Sequence, residues 1–414
     1  MLKKILVSIF VLLILCLGYC TFFKKKDTNK DQLVFWSIQL KPFYEEQMGK
    51  IIKEFELEHP EIKVKWLDIP IKEVQKRTLA SILSSNPADL INLNPDYSIL
   101  LAQKNTLEFL DDEDLSQFHK ELLEKLKYEG KIYGIPFYAT SAITIYNKEN
   151  YENCFRNKSF IKSYDDLFKI SSDLKNCNNV ASFASSLGEG ETTSKILNKY
   201  GISTFKTKEE IEKTILIFEN LNRMYKNDEL PKDTMSLSHR EIIEKYMAGN
   251  SSIIVAGANF INTIKKSAPD IYSKTEISNQ LVGKEGNYDL SLMNFIIPKR
   301  ALHKKLALEF AKKITNEENQ LEFAKISNVL PANKYALKDD YFKNCSDDLY
   351  DKSRCISAKQ LDNLNKTSFS QKNKNQISQI INKTLEEILL DQNSTKETIT
   401  KKVEAMAKLI QEYN

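Results

Sequence analysis

A chain of 414 residues exceeds the size at which one hydrophobic core keeps growing, so two domains are expected. Sixty basic side chains against 56 acidic ones leave a net charge of +4, and 42% hydrophobic with 28% charged residues are ordinary globular values. A chain so balanced has no overall field with which to hold a polyanion, and nucleic acid is excluded as an expected partner.

The chain opens on Lys3 and Lys4, an uncharged run from Ile5 to Phe23, and then Lys24, Lys25 and Lys26. This pattern reads as an export signal. Nineteen apolar or neutral residues are about enough for a helix to cross a bilayer, so the run can remain as an anchor. The other reading is a lipoprotein signal peptide, because Leu17-Gly18-Tyr19-Cys20 resembles a lipobox whose Cys20 is lipidated after cleavage, although Tyr19 departs from the small residue usual there. A cleaved, soluble product is the third form. Residues 1–23 are therefore a signal peptide or membrane anchor and residues 24–32 a polar linker. All three forms place the body outside the cytoplasm, in the periplasm or at the cell surface.

After the linker, Leu33 to Trp36 is rich in strand formers, and Tyr44, Met48, Ile51, Ile52 and Phe55 recur at helical spacing up to His59-Pro60. Ile62 to Trp66 alternates like a strand, a second amphipathic helix covers about 71–83, and Asp89 to Leu93 is a short apolar strand. This β-α-β-α-β order predicts an α/β fold with a mostly parallel sheet, whose ligands gather beyond the carboxyl ends of the strands. The loops Ser37 to Lys41 and Asn94 to Tyr97 become candidates, and the cluster Asp111 to Asp114 reads as a solvated helix start.

Four cysteines beyond the leader fall into two local pairs, Cys154 with Cys177 and Cys345 with Cys355. Export permits disulfides, and each closure is worth about 3 kcal/mol in the chain-entropy account. Four buried thiols are the alternative. A metal site is not expected, because His59, His119, His239 and His303 stand at no ligand spacing from a cysteine pair.

The middle of the chain repeats the α/β pattern. Ile143 to Tyr146 and Ser252 to Val255 read as strands, with a helix from Thr207 to Tyr225 between them. Leu306, Phe310 and Ile314 mark a later helix, and Thr315 with Glu318 predicts the capping box of the next one. Two helices form the tail from about residue 376, the second capped by Ser394 and Glu397, and residues 366–375 read as a loop. Phosphate loops, zinc motifs and nucleophile elbows are missing, which argues against ATP, zinc and serine chemistry; no cofactor and no catalytic residue is expected.

Six segments in order carry a resemblance. They are Phe35-Trp36-Ser37, the run from Phe55 to Val64, Pro87 to Asn94, Gly130 to Tyr138 leading to Tyr146-Asn147-Lys148, Met247 to Asn250 with Val255 to Phe260, and the late stretch from Leu306 to Ala332. Together they resemble the extracellular solute-binding proteins of carbohydrate ABC importers, the maltose-binding-like and glycerol-phosphate-binding-like group. The resemblance implies the type 2 periplasmic-binding-protein fold, two α/β lobes with a hinge and an interlobe cleft. Lobe one would be residues 33–139 plus 292–335 and lobe two residues 140–290 plus 336–414, with crossings near Tyr138 to Ser141 and Asp289 to Asn294. It implies a monomer that captures a small-molecule sugar and passes it to ABC permease subunits in the membrane. Where many relatives carry a glycine pair, this chain has Ser291-Leu292-Met293-Asn294, which puts backbone contacts to the ligand there in doubt.

A sugar needs a ring to stack on its C–H face and amides or carboxylates for its hydroxyl rim. Trp36, Tyr138 and Phe260 are the ring candidates, with core packing as the alternative role. Gln39, Asn94, Asp96 and Asn259 are the rim candidates, with turns and caps as theirs, and Glu189 and Asn294 are thinner ones. Trp66, inside a strand, reads as core. Lys41 is the main basic residue in the strand-end loops, so a neutral saccharide is preferred. A glycerol phosphate or other polyol derivative, an exported carbohydrate-active enzyme with opposed carboxylates, and a surface sensor or adhesion module are the alternatives.

Overall fold

In the computed structural model, residues 32–41, 43–111, 115–156, 158–364 and 373–413 are described. The leader with Cys20, most of the linker, Asp112 to Asp114 of the acidic cluster and most of the 366–375 loop lie outside the described residues. Eleven strands are found among the described residues: β1 Gln32–Ile38, β2 Lys63–Ile69, β3 Leu90–Leu93, β4 Lys127–Tyr128, β5 Lys131–Ile132, β6 Ile135–Asn147, β7 Ala181–Ala184, β8 Ser251–Gly257, β9 Thr275–Asn279, β10 Leu290–Ile296 and β11 Leu330–Pro331. Nine of them form one sheet in the order β2-β1-β3-β10-β6-β8-β7, with β9 and β11 also paired to β6; β4 and β5 form a hairpin.

The first lobe is built as alternation dictates. Along β1, Leu33 and Phe35 enter one core while Val34, Trp36 and Ile38 face the other. The helix Glu45–Glu58 turns Met48, Ile51 and Phe55 inward against the first, and the helix Ile71–Leu83 turns Val74 and Ile82 against the second. The helices Lys304–Ile314 and Glu317–Ser327 return to this lobe through Phe310, Ile314 and Phe323. Trp66 stacks on Phe35 at 6.4 Å, and its indole N–H donates to Ser37 Oγ at 2.7 Å.

The second lobe wraps β6 to β9. Its larger core joins Ile217, Phe218 and Leu221 of the helix Lys208–Lys226 to Ile377, Ile381 and Leu385 of the helix Lys374–Leu389 and to Val403 and Ile410 of the helix Lys396–Gln411. Both local cysteine pairs are bonded, with Cα separations of 5.9 Å for Cys154–Cys177 and 6.2 Å for Cys345–Cys355. No helix among the described residues is long and apolar enough to cross a membrane.

Two caps fall one residue beyond their expected places. Thr315 ends the preceding helix and donates its hydroxyl back to Ala311 at 2.7 Å, so Asn316, in extended conformation, accepts the Asn319 N–H at 2.8 Å instead. Likewise Thr395, not Ser394, accepts the Thr398 N–H.

β6 joins the lobes. Its first half pairs with β10 and β11 and its second half with β8 and β9, the change falling between Ser141, opposite Leu290, and Ala142, opposite Gly257. The chain from β9 to β10 makes a second passage, and the helix Leu349–Gln360 contributes to the cores of both lobes.

Candidate ligand-binding cleft

Three segments meet where the lobes join, and their polar groups are bound together. Gln360 donates from Nε2 to Ser141 Oγ at 2.7 Å and to the Ala142 carbonyl at 3.0 Å, and its Oε1 accepts the Gln280 N–H at 2.8 Å. The Lys199 ammonium, 2% exposed, donates to Gln280 Oε1 at 2.8 Å, pairs with Asp289 at 3.0 Å and reaches the Asn287 carbonyl at 3.3 Å. A buried charge is tolerated only with such a full set of partners.

The predicted site residues are unequally placed. Trp36 is half-buried on one core, and its buried indole N–H has no acceptor among the described residues. Such an orphan donor costs about 1–3 kcal/mol until something accepts from it. Tyr97, Tyr128, Tyr133 and Met293 are half-buried on the same core, an apolar surface that single-residue reading missed. Tyr138 is half-buried on the other core, with ring centroids 4.9 Å from Phe137 and 5.3 Å from Phe323, and burial pushes its phenol up to about 12. Trp36 and Tyr138 therefore do not share a stacking surface. Phe260 is half-buried against Ile261 and Ile264 in lobe two, beside an exposed Asn259.

Among the polar candidates, Gln39 is exposed in a left-handed turn at φ 49°. Asn94 is the N-cap of the helix Pro95–Gln103, its side-chain oxygen accepting the Tyr97 N–H at 2.9 Å. Asn294 is fully buried, donating to Ser98 Oγ at 2.9 Å, while its carbonyl accepts from Asn92 at 3.1 Å; its amide serves the interior of lobe one rather than an opening. Glu189 is exposed, accepts the His239 backbone N–H at 2.6 Å and pairs with the His239 ring. Its neighbour Gly188 is required, since a Cβ there would lie 1.9 Å from the Met235 carbonyl oxygen.

Asp96 makes a charged contact from lobe one to lobe two. It stands in the first turn of the helix Pro95–Gln103 and pairs at 3.1 Å with Lys374, the first residue of a lobe-two helix. Lys374 pairs again at 2.8 Å with Glu191, at the start of the helix Thr192–Asn198. A cation at a helix amino terminus opposes the macrodipole, and the two carboxylates offset that. Burial alone would lower the Lys374 ammonium, but Asp96 and Glu191 outweigh it and hold it above its ordinary value. The Lys41 ammonium, by contrast, is tied to Glu45 at 3.1 Å and lies over the Trp66 ring at 4.5 Å.

The family model described as bacterial extracellular solute-binding protein matches residues 50–347. The chain belongs to that family. Among relatives of this solute-binding protein, a Brucella abortus (strain 2308) protein provisionally named a binding protein is 24% identical over 337 residues, 75% of this chain and 78% of its own. The mannitol-binding protein of Pseudomonas aeruginosa is 27% identical over 111 residues, 26% of each chain. Among solved structures, a Synechococcus sp. MITs9220 protein provisionally named an oligosaccharide periplasmic-binding protein matches with TM-score 0.78 and 21% identity, covering 92% of this chain and 99% of its own. Maltose-bound MalE3 of T. maritima matches at 0.72 and 15%, covering 92% and 100%. UgpB of Mycobacterium tuberculosis in complex with glycerophosphocholine matches at 0.70 and 17%, covering 92% and 98%. At these identities the structural likeness is one of fold: two α/β lobes, a hinge and a cleft between them.

Proposed function

We propose that this protein is the extracytoplasmic substrate-binding component of an ABC importer, taking a sugar or oligosaccharide into the interlobe cleft and delivering it to the permease without chemistry. Lobe one is residues 33–139 plus 292–335 and lobe two is residues 140–290 plus 336–414. The body is held at the membrane through lipidated Cys20 or an uncleaved leader and works as a monomer. The observation that carries the sugar reading is Trp36: a half-buried ring near the carboxyl end of β1 whose N–H is unanswered among the described residues. A sugar offers both a C–H face for that ring and a hydroxyl oxygen for that donor. Gln39, Asp96, Glu189 and Asn259 lie at loops or helix starts and complete the proposed rim, with Phe260 as a second ring. Names among the relatives and structural neighbours, mannitol, maltose and glycerophosphocholine, point to polyhydroxylated ligands.

The test uses the full chain in a sugar-free detergent, screened by thermal shift and tryptophan fluorescence against mono- and oligosaccharides, polyols and glycerol phosphates. A ligand at one hundred times its Kd stabilises the folded state by about 2.7 kcal/mol. Trp36→Ala removes that shift. A screen in which nothing raises the unfolding midpoint rules the reading out.

A further inference from the structure

Six asparagines of the chain stand in Asn-x-Ser/Thr, the pattern that accepts a glycan on exported proteins: Asn157, Asn250, Asn344, Asn365, Asn382 and Asn393. Asn157 and Asn365 lie outside the described residues. Asn382 is committed within the helix Lys374–Leu389, donating to the carbonyls of Gly188 and Gly190 at 3.0 Å each. The pattern at Asn250 runs into β8, where its hydroxyl residue Ser252 is buried and accepts from Asn150 at 3.0 Å. The residue after Asn344 is Cys345, bonded to Cys355. Asn393 differs from these. It is exposed in the turn between the helices Lys374–Leu389 and Lys396–Gln411, and its side-chain amide makes no hydrogen bond among the described residues. The base of the turn is fixed: the Ser394 N–H donates to the Asp391 carbonyl at 3.0 Å, and Lys226 donates to the Ser394 carbonyl at 3.0 Å. Asp391 is the only acidic residue two positions before any of the six, and its carboxylate accepts the Asn393 backbone N–H at 3.0 Å. The Thr395 hydroxyl, also exposed, accepts the Thr398 N–H at 3.3 Å, a cap that opening of a single helical turn releases.

We propose that Asn393 is a site of N-linked glycosylation, recognised as the acidic run Asp391-Gln392-Asn393-Ser394-Thr395 by an oligosaccharyltransferase on the outer side of the membrane. The family is extracellular, so the loop is presented on the side where such transfer occurs. The donor is an oligosaccharide linked to a lipid diphosphate. Asn393 Nδ2 attacks the anomeric carbon of that oligosaccharide, and the new N–C bond forms as the bond from carbon to phosphate oxygen breaks. The amide loses one proton to a base of the transferase, and the lipid diphosphate leaves with the bonding pair. Asp391 sets a carboxylate beside the acceptor, a charge that a basic groove of the transferase reads in addition to the Thr395 hydroxyl. The helix Lys374–Leu389 begins at the Asp96–Lys374 bridge, and its 16 residues carry the chain about 24 Å away from it. A glycan on Asn393 therefore stands clear of the cleft and leaves the lobes free to move.

The test is peptide mapping by mass spectrometry of the full chain purified from the membranes of the cell that makes it. Trypsin cuts after Lys383 and Lys396, so Asn393 is the only asparagine of peptide 384–396. The expected result is a glycan mass on most copies of that peptide, localised to Asn393. Asn393→Gln should remove the added mass entirely, and because the side chain is exposed and unbonded the unfolding midpoint should stay within about 1 °C of wild type. Thr395→Ser should keep the glycan and Thr395→Val lose it. Asp391→Asn, whose amide oxygen still accepts the Asn393 N–H, should lower occupancy about tenfold through loss of one charge contact. A bare Asn393 in the protein from its own cell, or an added mass that survives Asn393→Gln, overturns the assignment. Undiminished occupancy in Asp391→Asn overturns the role given to Asp391.

Discussion

Two lysines of lobe two, Lys199 and Lys374, answer burial in different ways. Lys199 lies at the hinge with fixed partners from its own lobe and the adjoining crossing, Gln280, Asn287 and Asp289. Lys374 is half-buried between one carboxylate from its own lobe and one from the other, Glu191 and Asp96. The first is a strut whose partners stay in place when the lobes part; the second is a clasp that separation must break. An ammonium can thus serve rigidity or motion, and which one depends on whether its partners share its rigid body.

Lys199→Met gives the largest effect, because it removes the buried ammonium that pairs with Asp289 at the hinge. Breaking a buried pair costs about 3–5 kcal/mol, a fall of roughly 5 °C in unfolding midpoint for a chain of 414 residues, measurable by calorimetry. Adding Asp289→Asn should recover part of that loss; no recovery would mean Lys199 acts through packing rather than charge. Glu210 extends the comparison to a carboxylate with fixed partners, accepting from the N–H groups of Ser203 at 2.8 Å, Thr204 at 3.0 Å and Lys206 at 3.1 Å. Burial raises its carboxyl, but these and neighbouring donors outweigh it and hold it at about 2, against an ordinary 4.5. A depressed folded value means stabilisation that is complete above pH 4.5 and lost as pH falls through 2. Glu210→Gln should therefore cost about 2 kcal/mol at pH 7, the gap to wild type closing between those limits in acid denaturation curves. Lys374→Met should have the smallest effect on folding, about 1 kcal/mol or less, while lengthening the mean interlobe distance seen by fluorescence transfer between labelled lobes. A folding loss as large as that of Lys199→Met would erase the distinction between strut and clasp.

Much of the fold is readable from periodicity. Alternation in β1 and β2 and the helical stripes of 45–58 and 71–83 each arise from neighbours in sequence, so the residues alone disclose them. The caps at Asn316 and Thr395 were displaced by one residue because adjacent Ser, Thr and Asn offer similar acceptors, and backbone angles decide among them. The cleft was harder to read. Asp96 and Lys374 are 278 positions apart, and a lysine in a polar stretch carries no local sign that it will meet a carboxylate of the other lobe. Asn294 illustrates the converse: polar and next to a crossing, it nevertheless lies wholly inside lobe one, where the pairing of β10 with β3 carries it.

The exchange of partners along β6 within a single peptide link, Ser141 to Ala142, has a mechanical consequence. Each half of the strand is gripped by its own ladder, so the rotation that passes through β6 falls on a torsion bar one link long, with Gln360 bound beside it and the β9-to-β10 passage as a second connection. A bar so short has almost no elastic reservoir. The work of opening must then come from separating charged and wetted surfaces across the groove, and substitutions there would retune the resting angle with the spindle untouched.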